Sequence, residues 1–399
     1  MPGSVSKNSS LAQSASTRIT SGPAEWLALL ECAAPRVDIG RLAGLLENFL
    51  NWPDLLRRAE NHCVVPILAD RVRNLDDAFV PTEVRATLRE SRRMQAIRAL
   101  QLTAELFFVL ERFAEAGIET LATKGPALSV RCYGDPGMRQ YSDLDLVIRE
   151  ADIWPATQAM LAHAYEPRVP LTAIDAKKIP GEYAFQKPGT HLLVEFHTER
   201  TFRYHPRPLH IEKLFERRAS VSIDGRDVPA LSLEDEYLLI CVHGAKHFWE
   251  RLMWIADVAA LISRQAPDWD CAISTAREVG AERILRLGLR LASDVLGAKL
   301  PVQVDANVRS DRVVSKLAAQ IESRLGSRDP CSIGILQRAA FRVRMRGGLL
   351  AGAAYLLRLS LSPTEEDWTP GNEGNRPVFL DAISRPLRLA RKHRRRSSS

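Results

Sequence analysis

Ser142-Asp143-Leu144-Asp145-Leu146-Val147-Ile148 places two carboxylates two residues apart at the head of an apolar run. Leu144 to Ile148 reads as a buried strand. The two-residue repeat of a strand puts Asp143 and Asp145 on one face, with Leu144 and Leu146 off it. Two acids side by side repel each other, so that face is costly unless a cation neutralises it. Magnesium suits such a position, being a hard ion that takes oxygen ligands, usually one or two carboxylates plus substrate phosphates. A pair of these ions can stabilise the attacking and leaving oxygens of an in-line phosphoryl displacement. A two-metal site generally wants a third acid from a neighbouring strand. Glu195, a charged residue in the otherwise apolar run Leu192-Leu193-Val194-Glu195-Phe196-His197, is the candidate.

Outward from this stretch the pattern changes twice. From Pro23 to Leu100 the apolar residues recur at helical spacings of three and four, and a long amphipathic helix is predicted from Thr82 to Ala116, stopped by Gly117. Ile118 to Thr123 is a short β-prone run ending in Lys124-Gly125-Pro126. Ala127 to Tyr133 then reads as a short helix, Gly134 to Gly137 as a loop, and Ala151 to His163 as a helix. Tyr183 to Gln186 and His191 to His197, joined by Lys187-Pro188-Gly189, form a predicted hairpin. Helices return after Leu233, over Glu234 to Trp249, Trp254 to Arg264 and Arg283 to Leu296, with more between Val313 and Arg358.

Composition sets the class. The chain has 399 residues, 46% hydrophobic and 26% charged, which suits a globular protein of two or three domains. Its net charge of +7 is a property of the ends. The tail from Arg388 carries six positives and no acid, and the first 24 residues carry two; without them the body stands at about −1. A near-neutral body offers little footprint for a phosphate backbone, so nucleic acid is not the expected partner. The six cysteines are scattered without a C-x-x-C pair, which argues against a zinc knuckle or disulfide framework and suits a reducing cytosol, hence a cytoplasmic location. The serine-rich start lacks the apolar core of a secretory signal. Gly347 to Leu361 is short and interrupted by Arg358, so no membrane span is expected.

The stretch before the acidic strand adds Lys124-Gly125-Pro126-Ala127, Arg131, and Tyr133-Gly134-Asp135-Pro136-Gly137-Met138-Arg139. Later come His243-Gly244-Ala245-Lys246-His247 with Trp249, Leu252, Trp254 and Asp257, and then Arg385-Pro386-Leu387. In this combination the chain resembles the bacterial uncharacterised nucleotidyltransferases of the polymerase-β-like superfamily, from about Trp52 to Arg391. The resemblance implies an α+β fold, with a small polymerase-β-like sheet and flanking helices set between N- and C-terminal helical regions. It further implies that Asp143 and Asp145 hold two Mg2+ ions, and that Glu195 is the third carboxylate and candidate base. Gly125 would let the backbone approach a triphosphate at a helix start, where free N–H groups favour an anion. Lys124 and Arg139 would neutralise phosphates, with Ser142 and Lys246 also on the nucleotide. One departure stands out: the superfamily usually has Gly-Gly or Gly-Ser where this chain has Gly125-Pro126, and the proline removes one donor.

His243 and His247 share a helical face, but a zinc protease needs Glu after the first histidine, and Gly244 stands there. His197, His243, His247 and Arg251 are therefore candidates for acceptor contact or for structural roles. The expected organisation is a disordered leader over 1–22, a helical region over 23–116, the nucleotidyltransferase core over 117–232, a helical domain over 233–387, and a basic disordered tail over 388–399. The expected activity is transfer of a nucleoside monophosphate, AMP from ATP first, to an acceptor hydroxyl or phosphate with release of pyrophosphate. The acceptor, whether small molecule, peptide or protein, is not encoded in these motifs. A catalytically degenerate nucleotide-binding or interaction subunit is the competing reading, prompted by Gly125-Pro126; RNA tailing, prompted by the basic tail, is a third.

Overall fold

The computed structural model describes residues 22–47, 51–76, 78–175, 182–198, 210–327 and 333–361. The leader up to residue 21, Arg385-Pro386-Leu387 and the basic tail lie outside the described residues. Helices α1 (Ala24–Ala33), α2 (Ile39–Glu47), α3 (Trp52–Asn61), α4 (Val65–Val72) and α5 (Thr82–Glu115) come first. The mixed segment follows: β1 (Leu121–Thr123), α6 (Gly125–Tyr133), β2 (Leu144–Val147), α7 (Ile153–Ala162), β3 (Glu166–Pro167), α8 (Leu171–Asp175), β4 (Glu182–Gln186), β5 (Leu193–His197), α9 (Ile211–Glu216), β6 (Ala219–Ile223) and β7 (Arg226–Ala230). The remainder is helical: α10 (Leu233–Lys246), α11 (Leu252–Arg264), α12 (Trp269–Glu278), α13 (Glu282–Leu296), α14 (Val302–Ser310), α15 (Arg312–Leu325), α16 (Ile335–Arg344) and α17 (Leu349–Leu361). The fold is α+β, a mixed sheet flanked by helices, as the sequence predicts. None of the described helices is long and apolar enough to cross a membrane.

Local chemistry explains where these elements begin and end. The Asn51 side chain accepts a bond from the Asp54 amide to open α3, and Ser232 does the same for Asp235 at α10. Glu234, Asp235 and Glu236 in the first turn of α10 favour its positive end. At the close of α5, Gly117 has φ +72°, and its amide together with that of Ile118 caps the last carbonyls of the helix.

The seven strands run in the order β3-β4-β5-β2-β1-β7-β6. The acid-bearing strand β2 is therefore central, parallel to β5 and antiparallel to β1. One sheet face carries Leu144, Leu146, Tyr183, Phe185, Val194 and Phe196, packed with Leu102, Leu106, Val109 and Phe113 of α5 and Ala156 and Met160 of α7. The opposite face is divided. Leu121 and Val147 sink into a second, larger core built from helices on both sides of the mixed segment. Asp145, two residues before Val147 on the same face, marks where that core gives way to charge. At 34 residues, about 50 Å long, α5 reaches both cores, contributing Leu88 to one and Ala99 through Phe113 to the other.

Candidate active site

Pairing register assembles the acids. Asp145 of β2 lies directly beside Glu195 of β5 and beside Thr123 of β1, so the three side chains share a face. His197, two residues after Glu195, falls on that face too, opposite Glu182 of β4. Asp143 sits in the bend just before β2, half-buried. Asp145, Glu195 and His197 each bring a ligand atom within 4.8 Å of the others. His197 Nε2 donates to Asp145 Oδ1 at 2.6 Å and stands 4.0 Å from Glu195 Oε2.

Lys124 supplies the positive charge already inside this cluster. Its Nζ is 2.7 Å from Asp145 Oδ1. Burial disfavours its ammonium, but Asp145, then Asp143 and Glu195, hold its pKa above the usual value. Burial alone would also raise Asp145; Lys124 and the bond from His197 outweigh it and keep this carboxylate ionised far below the usual range. Glu195 goes the other way, pushed up to about 7 by burial and then by the charge of Asp145. Asp143 is raised as well, by burial first and Asp145 second. Neighbouring carboxylates thus have well-separated proton affinities.

The turn from β1 into α6 delivers Lys124. Both Lys124 (φ +52°) and Gly125 (φ +46°) lie at positive φ. Gly125 packs close to the acidic loop, since a Cβ there would stand 3.6 Å from the Asp143 carbonyl oxygen. Burial raises the proton affinity of the fully buried Glu236 of α10, offset in part by Arg131, whose Nη1 lies 3.2 Å away, and by a hydrogen bond from the Lys124 backbone N–H. Helix α10 therefore backs the lysine turn.

The other expected positions distribute as follows. Arg139, expected on the phosphates, is 6% exposed and its Nε donates to Asp257 Oδ2 at 2.9 Å. Tyr133 donates to the other oxygen of Asp257 at 2.9 Å. Arg139 still lowers the pKa of Asp143 through space, but its guanidinium ties the loop to α11 rather than facing solvent. Asp135 caps its own turn by accepting from the Gly137 amide at 2.7 Å. Ser142 is exposed beside Asp143. Lys246 faces the sheet, 3.5 Å from Glu182 Oε1. The rings of His243 and His247 lie tilted 4.7 Å apart, His243 meets Trp254 edge-on at 5.7 Å, and His247 stacks on Trp254 at 5.0 Å. Arg251 lies over the Trp254 ring at 5.8 Å. Burial pushes His247 down to about 4 and His243 well below its usual value, the latter also through Lys124, so this aromatic group borders the site as neutral rings.

Sequence reasoning passed over Glu182, Thr123 and Glu236. Glu236 looks like an ordinary first-turn acid, and Asp257, quoted among the residues that carry the resemblance, has no role assigned there. Thr123 is 3% exposed, and its hydroxyl has no hydrogen-bond partner among the described residues. An orphaned buried hydroxyl beside Asp145, which clusters with Glu195 and His197, completes a donor set that fits a hydrated divalent cation. A cleft of about 880 Å3 runs along α5, lined by Met94, Gln101 and Glu105 together with Gln140 and Gly189 to Leu192, and none of Asp143, Asp145 and Glu195 lines it. A second cavity, about 510 Å3, lies between α5 and β7 and is not lined by any of these acids.

Comparison with known proteins gives the family. A family model described as an uncharacterised nucleotidyltransferase matches residues 49–297, more than half of the 399-residue chain. The crystal structure of an antigenic nucleotidyltransferase-like protein from Paracoccidioides brasiliensis is similar at 16% identity, covering 49% of this chain and 93% of that one, with a TM-score of 0.30. No curated protein matches the chain.

Proposed function

The chain belongs to the uncharacterised nucleotidyltransferase family, and from that premise we propose that it is a magnesium-dependent enzyme moving a nucleoside monophosphate, AMP from ATP first, onto an acceptor hydroxyl or phosphate. The observation that carries this reading is the register of β2 and β5, which sets Asp145 beside Glu195 with Asp143 one bend away. Asp143, Asp145 and Glu195 would hold two Mg2+ ions, which when bound supply charge for the attacking and leaving oxygens.

The remaining work falls to the chain itself. Lys124 and the backbone at Gly125 sit where the β- and γ-phosphates would leave as pyrophosphate, with Ser142 and Lys246 at the margins of the nucleotide. Pro126 withholds one amide, so the lysine ammonium carries more of the phosphate grip. Glu195, the third carboxylate, is the candidate base for the acceptor proton. Positioning in that geometry supplies a large share of the rate.

The test is pyrophosphate release from each nucleoside triphosphate, with Mg2+ and a panel of hydroxyl- and phosphate-bearing acceptors. Release should depend on the ion and fall about a hundredfold or more in Asp143→Asn combined with Asp145→Asn. Unchanged release in that variant sinks the assignment. Tight ATP binding with no turnover on any acceptor favours a degenerate nucleotide-binding subunit.

A further inference from the structure

Three of the groups converging on the site are not all oxygen donors. Asp145, Glu195 and His197 approach one another within 4.8 Å, and His197 Nε2 is the ligand atom closest to Asp145, at 2.6 Å. Strand geometry makes this arrangement obligatory, because Glu195 and His197 are two apart on β5 and Asp145 is the register partner of Glu195. Across β1, the buried Thr123 hydroxyl lacks a partner among the described residues and faces the same side, as a water held by an ion would require.

We propose that Asp145, Glu195 and His197 form a mixed nitrogen–oxygen seat for a divalent first-row transition ion of the manganese kind, held more tightly than magnesium. This rests on the reading of the site as a metal-dependent nucleotidyltransferase and narrows it. Magnesium seeks oxygen ligands and keeps its waters, whereas imidazole nitrogen suits transition ions. An ion in this seat replaces the proton that His197 shares with Asp145, and it displaces the Lys124 ammonium from Asp145 Oδ1. The freed lysine is then available to phosphate. Asp143 remains outside the mixed seat, free to share a magnesium ion with the nucleotide.

The experiment is equilibrium binding of Mn2+ and Mg2+ to the full chain without nucleotide, combined with electron spin-echo spectroscopy of the Mn2+ complex. Wild-type protein should bind Mn2+ at least about tenfold more tightly than Mg2+, with a nitrogen coupling from a ligated imidazole. His197→Gln, which keeps a side-chain donor toward Asp145, should lose that coupling and bring the two affinities within about threefold of each other. Equal affinities in the wild type, or Mn2+ bound without nitrogen coupling, overturn the proposal even if the variant fails to fold. The same titration on Asp145→Asn separates the two levels. Unchanged Mn2+ affinity there removes the metal site and the enzyme reading with it, whereas lost affinity alongside a missing nitrogen coupling in the wild type removes only the mixed seat.

Discussion

Lys124 carries the tension of the site. A non-glycine residue at φ +52° and ψ −144° occupies sparsely populated backbone space, at a cost of about 1–3 kcal/mol. The conformation places its ammonium among Asp143, Asp145 and Glu195, where it serves as the cation that makes their clustering tolerable. Replacing it with methionine should destabilise the metal-free protein by about 3 kcal/mol, as loss of one partner of a buried ion pair does. Millimolar Mg2+ should recover part of that loss, read as melting temperature with and without chelator. Equal losses in both conditions would show that the acids do not share a cation.

Glu195 gives a second prediction at this scale. Its folded pKa, about 7, lies above the ordinary 4.5, so between these values the folded protein binds more protons than the unfolded chain. Stability from this group is complete below pH 4.5 and is lost as the pH rises through 7. His62, His243 and His247, all lowered by desolvation, tilt the total in the opposite direction over an overlapping range. Comparison with Glu195→Gln cancels them. From pH 5 to 8 the metal-free wild type should lose on the order of 2–3 kcal/mol relative to that variant in denaturant unfolding. Parallel profiles would contradict the raised proton affinity.

At the scale of elements, the loop expected to bind phosphate is braced against α11. Arg139 and Tyr133 converge on Asp257 of α11, burying the charge pair behind the acids. Asp257→Asn should therefore cost about 3 kcal/mol or more in stability, since it strands a buried guanidinium. Should the variant instead keep wild-type stability and only raise the KM for nucleotide, the arginine belongs to the substrate. Gly244, in the His-Gly-Ala-Lys-His run, is explained by Trp249, whose ring would lie 2.6 Å from an added Cβ. Gly244→Ala should cost about 1–3 kcal/mol by overpacking, measured by thermal unfolding, with nucleotide affinity little changed.

These elements also show what was legible beforehand. The α5 limits, the strand at Leu144 and the hairpin ending at His197 follow from periodicity and from glycine and proline punctuation, which are local signals. The register joining Asp145 to Glu195 is long-range, yet a lone acid in an apolar strand pointed to it. The pairing of Arg139 with Asp257 spans 118 residues, and no local pattern distinguishes a paired arginine from a free one. Strands β6 and β7 went unread although Asp224-Gly225, at φ +49° and +78°, is a hairpin turn signal. Pro229 is tolerated in β7 because β1 pairs with β7 at Ala230.

At the scale of the molecule, the sheet does not stand by itself. The larger core joins Leu29, Leu55 and Leu68 from the first helices to Ile255, Leu287 and Leu317 from the last ones, while Leu121 and Val147 plug the sheet into it. The acids thus sit at the border of a core built from both ends of the described chain. A chain lacking residues 1–80 should expose much of that core and show no cooperative melting by circular dichroism. A sharp transition in that fragment would mean the sheet and later helices fold without the first four.

The central claim is that Asp143, Asp145 and Glu195 meet the reacting phosphate. Its most direct test is a crystal structure of the full chain with a divalent ion and a non-hydrolysable ATP analogue. An ion should bridge Asp145 and the α-phosphate, with Lys124 moved from Asp145 onto the outer phosphates. A nucleotide bound elsewhere, with Lys124 still paired to Asp145 and no ion between the acids, would contradict it.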